Sequence, residues 1–280
     1  MKVLVTGSSG RLGKEIIKYL RAREIAYIGI DLVPAETTDA VVDIRDRAKL
    51  DNLFSQVDHV IHTAALHGKH TDLNLPREDF IQVNILGTLN LLNLSVKHSI
   101  KKFVYTSTTS IYGKAMVHPE QAVWVEESLT PIPRDIYDIT KQATENLCQD
   151  FFEKEGLATC VLRVSRFMDE PINNIVNYRL YRGLAETDGA LAHYRALITP
   201  LDTFEIFNVS NKSPFTKGDL AKLKTNPVSV ILNYFPRADE VYKARGWNFP
   251  TSIDRVYDIT KAERILGYQP QQNFTEIINV

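Results

Sequence analysis

A tyrosine and a lysine in this sequence have a spacing that suits proton transfer. Tyr137 and Lys141 lie four residues apart in the segment Ile136–Glu155, whose pattern predicts a helix, so both side chains leave the same face. A free tyrosine has a pKa of about 10 and is a poor base at neutral pH. A neighbouring ammonium lowers that pKa, so the pair predicts a side chain that exchanges a proton with a substrate hydroxyl.

A hydroxyl-rich turn follows a predicted strand, Phe103–Thr106. The next residues read Ser-Thr-Thr-Ser-Ile-Tyr-Gly, at 107–113. A hydroxyl at the end of such a strand can hydrogen-bond the substrate oxygen and hold it against Tyr137. Hydroxyls in turns are also common capping groups, so the turn alone does not assign a role to any one of them.

Three glycines near the N-terminus have the spacing of a phosphate-binding loop. Gly7, Gly10 and Gly13 follow the first predicted strand and open the first predicted helix. Such glycines let the backbone turn tightly and approach a pyrophosphate, and the helix N-terminus offers N–H groups to the anion. We expect a dinucleotide to be bound here by Gly7, Ser9, Gly10, Arg11, Leu12 and Gly13.

Residues that end the next strands predict which dinucleotide binds. Asp31 ends the second strand, where a carboxylate accepts hydrogen bonds from the adenosine ribose and repels a 2′-phosphate. The expected cofactor is therefore NAD, although Arg11 is a basic residue that would suit NADP. Asp43 and Ile44 are expected to flank the adenine. The small residues Thr63, Ala64 and Ala65 are expected to lie along the cofactor.

The elements that must position these residues alternate along the chain. Strand-like runs occur at Lys2–Val5, Ala26–Ile30, Ala40–Val42, His59–His62, Phe103–Thr106 and Thr159–Leu162. Helical patterns occur between them at Leu12–Arg23, Ala48–Gln56, Asp79–His98 and Ile136–Glu155. This order predicts an α/β fold with a doubly wound parallel sheet and a ligand crevice at the carboxyl ends of its strands.

The alternation breaks down after residue 163, where prolines punctuate the chain. We expect residues 1–163 to form the dinucleotide-binding domain with the catalytic pair. Residues 164–280 are expected to form mostly a small substrate-binding lobe, with some segments returning to the main sheet.

Composition excludes several classes of partner. The 33 Lys and Arg against 34 Asp and Glu give no reason to expect nucleic acid or an anionic membrane. The two cysteines suit a reduced cytoplasm, and neither a signal-peptide pattern nor a membrane-spanning apolar run is present. His67 and His70 lie in a loop after the fourth strand without a third ligand in view, so no metal site is expected.

Taken together, these motifs resemble the extended short-chain dehydrogenase/reductase family, in its NAD-dependent epimerase/dehydratase branch. The resemblance also covers Asn84 within Val-Asn-Ile-Leu-Gly-Thr and the ending at 258–270, so it spans nearly the whole chain. It implies a Rossmann-like fold and enzymatic activity. It further implies that Thr108 is the catalytic hydroxyl, that Tyr137 is the acid/base with Lys141 as its partner, and that Asn84 is a support.

The pentapeptide Tyr-Asp-Ile-Thr-Lys occurs twice, at 137–141 and at 257–261. The second copy falls in the C-terminal signature of the family, where the segment packs structurally. We therefore do not interpret Tyr257 and Lys261 as catalytic.

Departures from the family pattern limit which of the family's reactions are expected. Dehydratases of the family carry an acidic pair where this chain has Thr109 and Ser110, so dehydration is disfavoured. Epimerases often have the Tyr-Gly found at Tyr112. The family's Asn after the sixth strand is replaced by Arg166, whose planar guanidinium suits a carboxylate or phosphate.

The expected function is NAD-dependent hydride transfer at a hydroxyl of a sugar or nucleotide sugar. Expected substrate contacts, besides Thr108, are His67, Thr109, Tyr112 and Arg166, with Thr106 and Asn84 beside the cofactor. Two alternatives stay open: net oxidation of a free sugar acid, as in the compact uronate dehydrogenases, and a dinucleotide-sensing protein without chemistry. The helical segments Asp79–His98 and Ile136–Glu155 match the pair that forms the family's dimer, so a homodimer is expected.

Overall fold

The structure is a computed structural model that describes residues 1–67 and 74–278. Within that part, the strands β1 to β11 are Lys2–Thr6, Ala26–Asp31, Ala40–Val41, His59–His62, Lys102–Thr108, Val123–Val125, Thr159–Val164, Arg166–Phe167, Gly183–Leu184, Glu205–Val209 and Arg255–Tyr257. The short apolar runs predicted from the sequence all form strands.

Seven of the described strands form one parallel sheet in the order β10-β7-β5-β4-β1-β2-β3. Strands β1, β5 and β7 are buried along almost their whole length, because helices cover both faces of the sheet. The chain leaves β1 toward one edge and returns through β4 toward the other, so a crevice opens at the carboxyl end of β1. The prediction of a Rossmann-like doubly wound sheet is confirmed.

The described helices are numbered α1 to α11 in chain order. They are Arg11–Arg21, Arg47–Phe54, Arg77–Lys97, Ile136–Glu155, Ile172–Tyr178, Glu186–Ile198, Leu220–Thr225, Pro227–Tyr234, Ala238–Arg245, Thr260–Leu266 and Phe274–Ile278. In α3, which runs from Arg77 to Lys97, the segment Ile81–Gly87 is π-helical. Sequence patterns did not predict this widened turn, which often marks functional positions.

Helix α4 is bounded by two local signals. The Asp135 carboxylate accepts a hydrogen bond of 2.9 Å from the backbone N–H of Asp138, which caps the N-terminus. Gly156 ends the helix with a left-handed φ of 66°. The helix therefore occupies Ile136–Glu155, as predicted.

The second half of the chain contributes to the main sheet. Strand β10 pairs with β7 at the edge, and helix α6 packs against α1. Gly189 on α6 allows this close approach, since a Cβ there would lie 3.0 Å from Leu12 Cδ1. These segments return to the sheet, while the division into 1–163 and 164–280 stays a prediction.

A separate apolar cluster forms the core of the smaller lobe. It contains Val176, Phe215, Tyr242 and Phe274, and it also includes Ala122 from the first half of the chain. A two-stranded sheet of β6 and β11 joins the two halves. The lobe therefore lies beside the crevice and is tied to the residues that follow β5.

Candidate active site

A cavity of about 920 Å³ extends from the glycine loop to the start of helix α4. Both halves of the chain line it. The predicted site residues on its wall are Gly7, Ser9, Gly10, Arg11, Leu12, Gly13, Asp31, Asp43, Ile44, Thr63, Ala64, Ala65, His67, Thr106, Thr108, Thr109, Tyr137, Lys141 and Arg166. The structure thus brings the expected dinucleotide loop and the expected catalytic residues to one cavity.

The glycine loop has the close packing that its residue types predict. Gly7 has a φ of 73°, and a Cβ there would lie 2.5 Å from Thr63 Oγ1 and 2.7 Å from the Ala64 nitrogen. A Cβ on Gly13 would lie 2.1 Å from the Gly7 carbonyl oxygen. Helix α1 begins directly after Gly10, so its first N–H groups face the cavity end that would hold a pyrophosphate.

Asp31 joins the glycine loop to the end of β2. Its carboxylate accepts hydrogen bonds of 3.0 Å from the Ser9 backbone N–H and 3.1 Å from the Val33 backbone N–H. Its side chain is half-buried on the cavity wall. A carboxylate in this position accepts hydrogen bonds from a ribose diol and disfavours a phosphate.

Two other residues at this end are engaged with protein partners. The Asp43 carboxylate pairs with Arg45, with 2.6 Å between Asp43 Oδ2 and Arg45 Nη2, and the hydrogen bond from Arg45 lowers the pKa of Asp43. Arg11 forms an ion pair with Glu186 and donates 3.2 Å to the Met168 carbonyl. Arg11 is thereby directed toward the second half of the chain, which weakens its suitability for an NADP phosphate.

Lys141 is a buried residue of the cavity wall. Its Nζ donates a hydrogen bond of 2.7 Å to the Thr106 carbonyl and lies 4.7 Å from the centre of the Tyr105 ring. Burial lowers the pKa of Lys141 to about 8, while the negative charge of Glu145 raises it. The amine therefore loses its proton more readily than an exposed lysine does.

Tyr137 lies one helical turn before Lys141 and is hydrogen-bonded to the Thr108 side chain. Burial raises the pKa of Tyr137, and the hydrogen bond from Thr108 opposes this increase only in part. The expectation that Lys141 makes this phenol more acidic is therefore wrong for the protein without cofactor. The amine of Lys141 is held by the Thr106 carbonyl, and the loss of solvent around the phenol is the largest cause of the raised pKa of Tyr137.

Asn84 supports the catalytic helix from the π-helical segment of α3. Its side chain accepts 2.8 Å from the Leu66 N–H, donates 2.9 Å to the Leu66 carbonyl and donates 3.0 Å to Thr140 Oγ1. Thr140 in turn donates 2.9 Å to the Tyr137 carbonyl. Asn84 is buried and does not line the cavity, so its predicted supporting role fits and its placement among the cofactor contacts is corrected.

A buried histidine from the second half of the chain holds the end of β5. His193 Nδ1 lies 2.7 Å from the Gly189 carbonyl, which only accepts, so this nitrogen carries the proton. Nε2 therefore accepts from the Thr106 hydroxyl at 2.8 Å. Burial lowers the pKa of His193 to about 4, which keeps the ring neutral. Helix α6 thus fixes the residue whose carbonyl holds Lys141.

Tyr112 is not brought to the cavity. Its side chain is fully buried, its hydroxyl accepts 2.9 Å from Arg163 Nη1, and it donates 2.8 Å to Asn208 Oδ1. This corrects its assignment to the substrate contacts. The Tyr112 hydroxyl can be buried because Arg163 on β7 and Asn208 on β10 provide its hydrogen-bond partners inside the fold.

The same network contains a carboxylate that sequence reasoning missed. Glu145 is buried, pairs with Arg163 at 2.7 Å between Oε2 and Nη2, and accepts a hydrogen bond from Ser107. It follows Tyr137 and Lys141 at the same spacing of four, so the helical face could have revealed it. Its partner Arg163 faces Ser107 across the β5–β7 pair, which no local pattern indicates.

The end of the cavity next to the smaller lobe is rich in arginine. Arg166 is exposed on the wall, and the other guanidinium groups there belong to Arg134, Arg182 and Arg255. Arg255 pairs with Asp254, and Arg134 lies 3.6 Å from the Asp138 carboxylate. The sequence predicted a site role for Arg166 but not for Arg182 and Arg255. These two arginines are far apart along the chain, so no local pattern indicates that both line the same cavity as Arg166.

Two further predicted substrate contacts lie on this wall. Thr109 is buried at the surface of the cavity, and His67 is exposed there. The prediction made for His70 falls outside the described residues.

Comparison with known proteins gives the family. The model of the NAD dependent epimerase/dehydratase family matches residues 3–169. The chain belongs to the NAD-dependent epimerase/dehydratase family. The enzyme class and the cofactor NAD expected from the sequence are thereby confirmed.

Individual relatives of this family are distant from the chain. The chain is 26% identical to a dTDP-glucose 4,6-dehydratase of Streptomyces antibioticus, over 99% of the chain and 90% of the relative. It is 31% identical to a UDP-glucose 4-epimerase of Halalkalibacterium halodurans, over 58% of the chain and 50% of the relative. A crystal structure of Thermus thermophilus UDP-glucose 4-epimerase in complex with NAD has a TM-score of 0.72 at 25% identity, covering 99% of this chain and 96% of that one.

The residues present fit the cofactor of this family. The cradle at Gly7 and Gly13 leaves no room for a Cβ, and the Asp31 carboxylate faces the same cavity end. These features suit a backbone that closely approaches a pyrophosphate beside a ribose. None of the helices in residues 1–67 and 74–278 combines the length and the hydropathy that a membrane span requires.

Proposed function

We propose that this enzyme catalyses NAD-dependent oxidation and reduction at a hydroxyl of a sugar or nucleotide sugar, with Tyr137 as the acid/base. The observation that carries the proposal is the continuity of one cavity. The glycine loop forms one end of that cavity, and the hydrogen-bonded Tyr137 and Thr108 lie on its wall with Lys141 beside them.

Different residues of the chain have different roles in the proposed reaction. Thr108 and Tyr137 together receive the substrate oxygen, because a hydroxyl pair can both donate to it and accept from it. Lys141 is held by the Thr106 carbonyl and lines the same cavity, where its amine would be available to the ribose of a bound cofactor. NAD⁺, when bound, would supply the hydride acceptor.

The pKa of Tyr137 bears on the protonation of the phenol before the cofactor binds. Because burial raises that pKa, the phenol of the cofactor-free protein is protonated at neutral pH and is a proton donor. A positive charge near the phenol would stabilise the phenolate and allow the same residue to accept a proton.

Among the reactions of the family, we favour epimerisation or net dehydrogenation over dehydration. Thr109 and Ser110 follow Thr108 and offer only hydroxyl groups. Asp135 lies nearby on the wall, but its carboxylate caps helix α4. The described wall around Tyr137 therefore lacks the acidic pair that elimination of a hydroxyl requires.

The arginine-rich wall supports an anionic substrate. Arg166, Arg182 and Arg255 suit the diphosphate of a nucleotide sugar, and a guanidinium also pairs well with the carboxylate of a free sugar acid. The second candidate is therefore net oxidation of a uronate, in the manner of the uronate dehydrogenases.

The test incubates the purified protein and NAD⁺ with UDP-glucose, UDP-glucuronic acid, D-glucuronate and D-glucose. Absorbance of NADH reports net oxidation, and NMR reports a change of stereochemistry without NADH release. NADH accumulation with glucuronate selects the dehydrogenase, and an epimerised UDP-sugar selects the epimerase. Tight NAD binding without turnover of any of these compounds contradicts the proposed substrate class.

We also propose a homodimer formed by helices α3 and α4. Ile81, Leu86 and Ile139 on these two helices are 41%, 41% and 52% exposed, an unusual position for large apolar side chains. Light scattering is expected to give twice the chain mass of 31.8 kDa, and a monomer mass would contradict the proposal. The cytoplasmic location stays a prediction.

A further inference from the structure

An arginine and a buried aspartate lie on either side of Tyr137 along the chain. Arg134 lines the cavity with its side chain 47% exposed. Its Nη2 donates 3.1 Å to Ser110 Oγ, and its Nε lies 3.6 Å from Asp138 Oδ2. The guanidinium is thus held from two sides, which reduces the rotamer freedom that a long side chain normally keeps.

Asp138 is fully buried although it is not itself on the cavity wall. Its Oδ2 accepts 3.2 Å from the Arg134 backbone N–H, while Oδ1 has no hydrogen-bond partner among the described residues. Burial raises the pKa of this carboxyl, and a hydrogen bond with Ser110 opposes the increase. A carboxyl group in this condition costs stability, so the fold gains no evident advantage from it by itself.

Arg134 links the buried Asp138 carboxyl to the residues that are proposed to exchange a proton with the substrate. Ser110 is two residues beyond Thr108, whose side chain is hydrogen-bonded to Tyr137. The guanidinium therefore lies on the wall that carries the reacting pair. In residues 1–67 and 74–278, Nη1 of Arg134 has no protein acceptor, so this edge of the planar group remains available to a ligand.

We propose that Arg134 is a substrate-binding residue that donates to an oxygen of the sugar next to the reacting hydroxyl, and that Asp138 is its positioning residue. This inference depends on the proposed function and adds a contact to the same site. A carboxylate or phosphate oxygen is the acceptor class that a guanidinium binds best, so sugar acids are expected to gain most from the contact.

The test is a double-mutant cycle on the NAD-loaded protein with the variants Arg134→Gln, Asp138→Asn and both together. The ligands are UDP-glucuronic acid and UDP-glucose, which differ in one carboxylate. Affinity is measured by calorimetry in a Tyr137→Phe background, so that it does not depend on turnover. Steady-state kinetics in the native background give KM and kcat separately. Arg237→Gln, an exposed charge loss outside the cavity, is the matched control.

Arg134→Gln is expected to weaken UDP-glucuronic acid binding by roughly 10- to 100-fold and UDP-glucose binding by less. KM is expected to rise accordingly, while kcat changes little. Asp138→Asn is expected to weaken binding in the native background and to have almost no effect once Arg134 is replaced. Arg134→Lys is expected to restore part of the affinity.

Several outcomes overturn the inference. Equal effects of Asp138→Asn with and without Arg134 assign the aspartate a purely structural role. Unchanged affinity in Arg134→Gln removes the substrate contact. Failure of the wild-type protein to bind or convert any of UDP-glucuronic acid, UDP-glucose, D-glucuronate and D-glucose contradicts the proposed function itself. Binding of UDP-glucuronic acid by the wild type with no response to Arg134→Gln contradicts only this inference.

Discussion

The chain contains the same five residues, Tyr-Asp-Ile-Thr-Lys, in two different environments. In the first copy, Asp135 caps a helix that starts one residue before Tyr137, so Tyr137 and Lys141 lie on one helical face. In the second copy, Tyr257 ends strand β11 and the helix begins only at Thr260. The peptide is therefore one continuous helix in the first copy and a strand-to-helix junction in the second.

The lysines of the two copies both donate to a backbone carbonyl, but only the first lies beside the proposed catalytic tyrosine. Lys141 donates to the Thr106 carbonyl of β5 and is buried beside the cavity. Lys261 donates 2.9 Å to the Ile206 carbonyl of β10 and pairs with Glu205 at 2.7 Å. Tyr257 also reaches the cavity wall, but its hydroxyl faces Met116 Sδ at 3.5 Å. The residues before the pentapeptide, not the pentapeptide, decide whether its Tyr and Lys can act together.

The largest expected contrast is between the two tyrosines. Tyr137→Phe is expected to lower kcat by roughly 10²- to 10⁴-fold, because the proton donor is lost, while NAD affinity stays the same. Tyr257→Phe is expected to change kcat/KM by no more than a few-fold. Kinetics and calorimetry on the two variants measure this contrast. Comparable losses in both would mean that the second copy shares the chemistry.

The two lysines are expected to differ in the sign of their effect on stability. The folded-state pKa of Lys141 is about 8, below its usual value, so the native protein binds this proton less tightly than the unfolded chain. Charging the buried amine therefore costs stability below pH 8, and this cost disappears as the pH rises from 8 toward 10.5. Lys141→Met is expected to raise the free energy of unfolding by about 1–3 kcal/mol at pH 7 while lowering kcat about 100-fold.

Lys261→Met is the matched variant for that measurement. It removes an ion pair and a hydrogen bond, so the free energy of unfolding is expected to fall by about 1 kcal/mol with kcat nearly unchanged. Urea titrations between pH 7 and 10 test both variants. A stability gain of Lys141→Met that does not shrink as the pH rises would contradict the assigned burial cost.

The smallest expected contrast concerns two capping aspartates: Asp135, which precedes the first copy, and Asp258, which lies within the second. Asp135→Ala removes the cap of α4 and is expected to cost about 1 kcal/mol of stability and to lower kcat several-fold, because Tyr137 lies in the first turn. Asp258 accepts 2.8 Å from the Thr260 N–H and 3.0 Å from Trp124 Nε1. Asp258→Ala is expected to cost a similar amount of stability with little change in kcat. Thermal unfolding together with kinetics separates the two.

Local sequence patterns predicted the elements best where the stop signals are local. Strand His59–His62 and helix Ile136–Glu155 have the predicted bounds, the helix because Asp135 and Gly156 mark its ends. Strand β5 extends past its predicted end at Thr106 to Thr108, since its last residues pair with Arg163 and Val164 of β7. Such pairing depends on a distant strand, which a local pattern does not contain.

The functional site, like the fold, was predictable where it depends on residues that are close together in the sequence. The glycine loop, Asp31 and the Tyr-Lys spacing are short-range features, and all of them lie on the cavity wall. The placement of Tyr112 and the pKa of Tyr137 depend on what surrounds them after folding. Burial therefore changed one assignment from substrate contact to core and reversed the expected direction of one pKa shift.

The hydrogen bond between His193 and Thr106 has a consequence for modular engineering. Thr106 holds the catalytic amine, yet the imidazole that anchors it comes from a helix beyond residue 185. A fragment that ends after β7 would lack this anchor and the edge strand β10. Chimeras that exchange the C-terminal half for that of a relative therefore need a histidine at this helical position, or the recipient's own proton-transfer geometry will change together with its specificity.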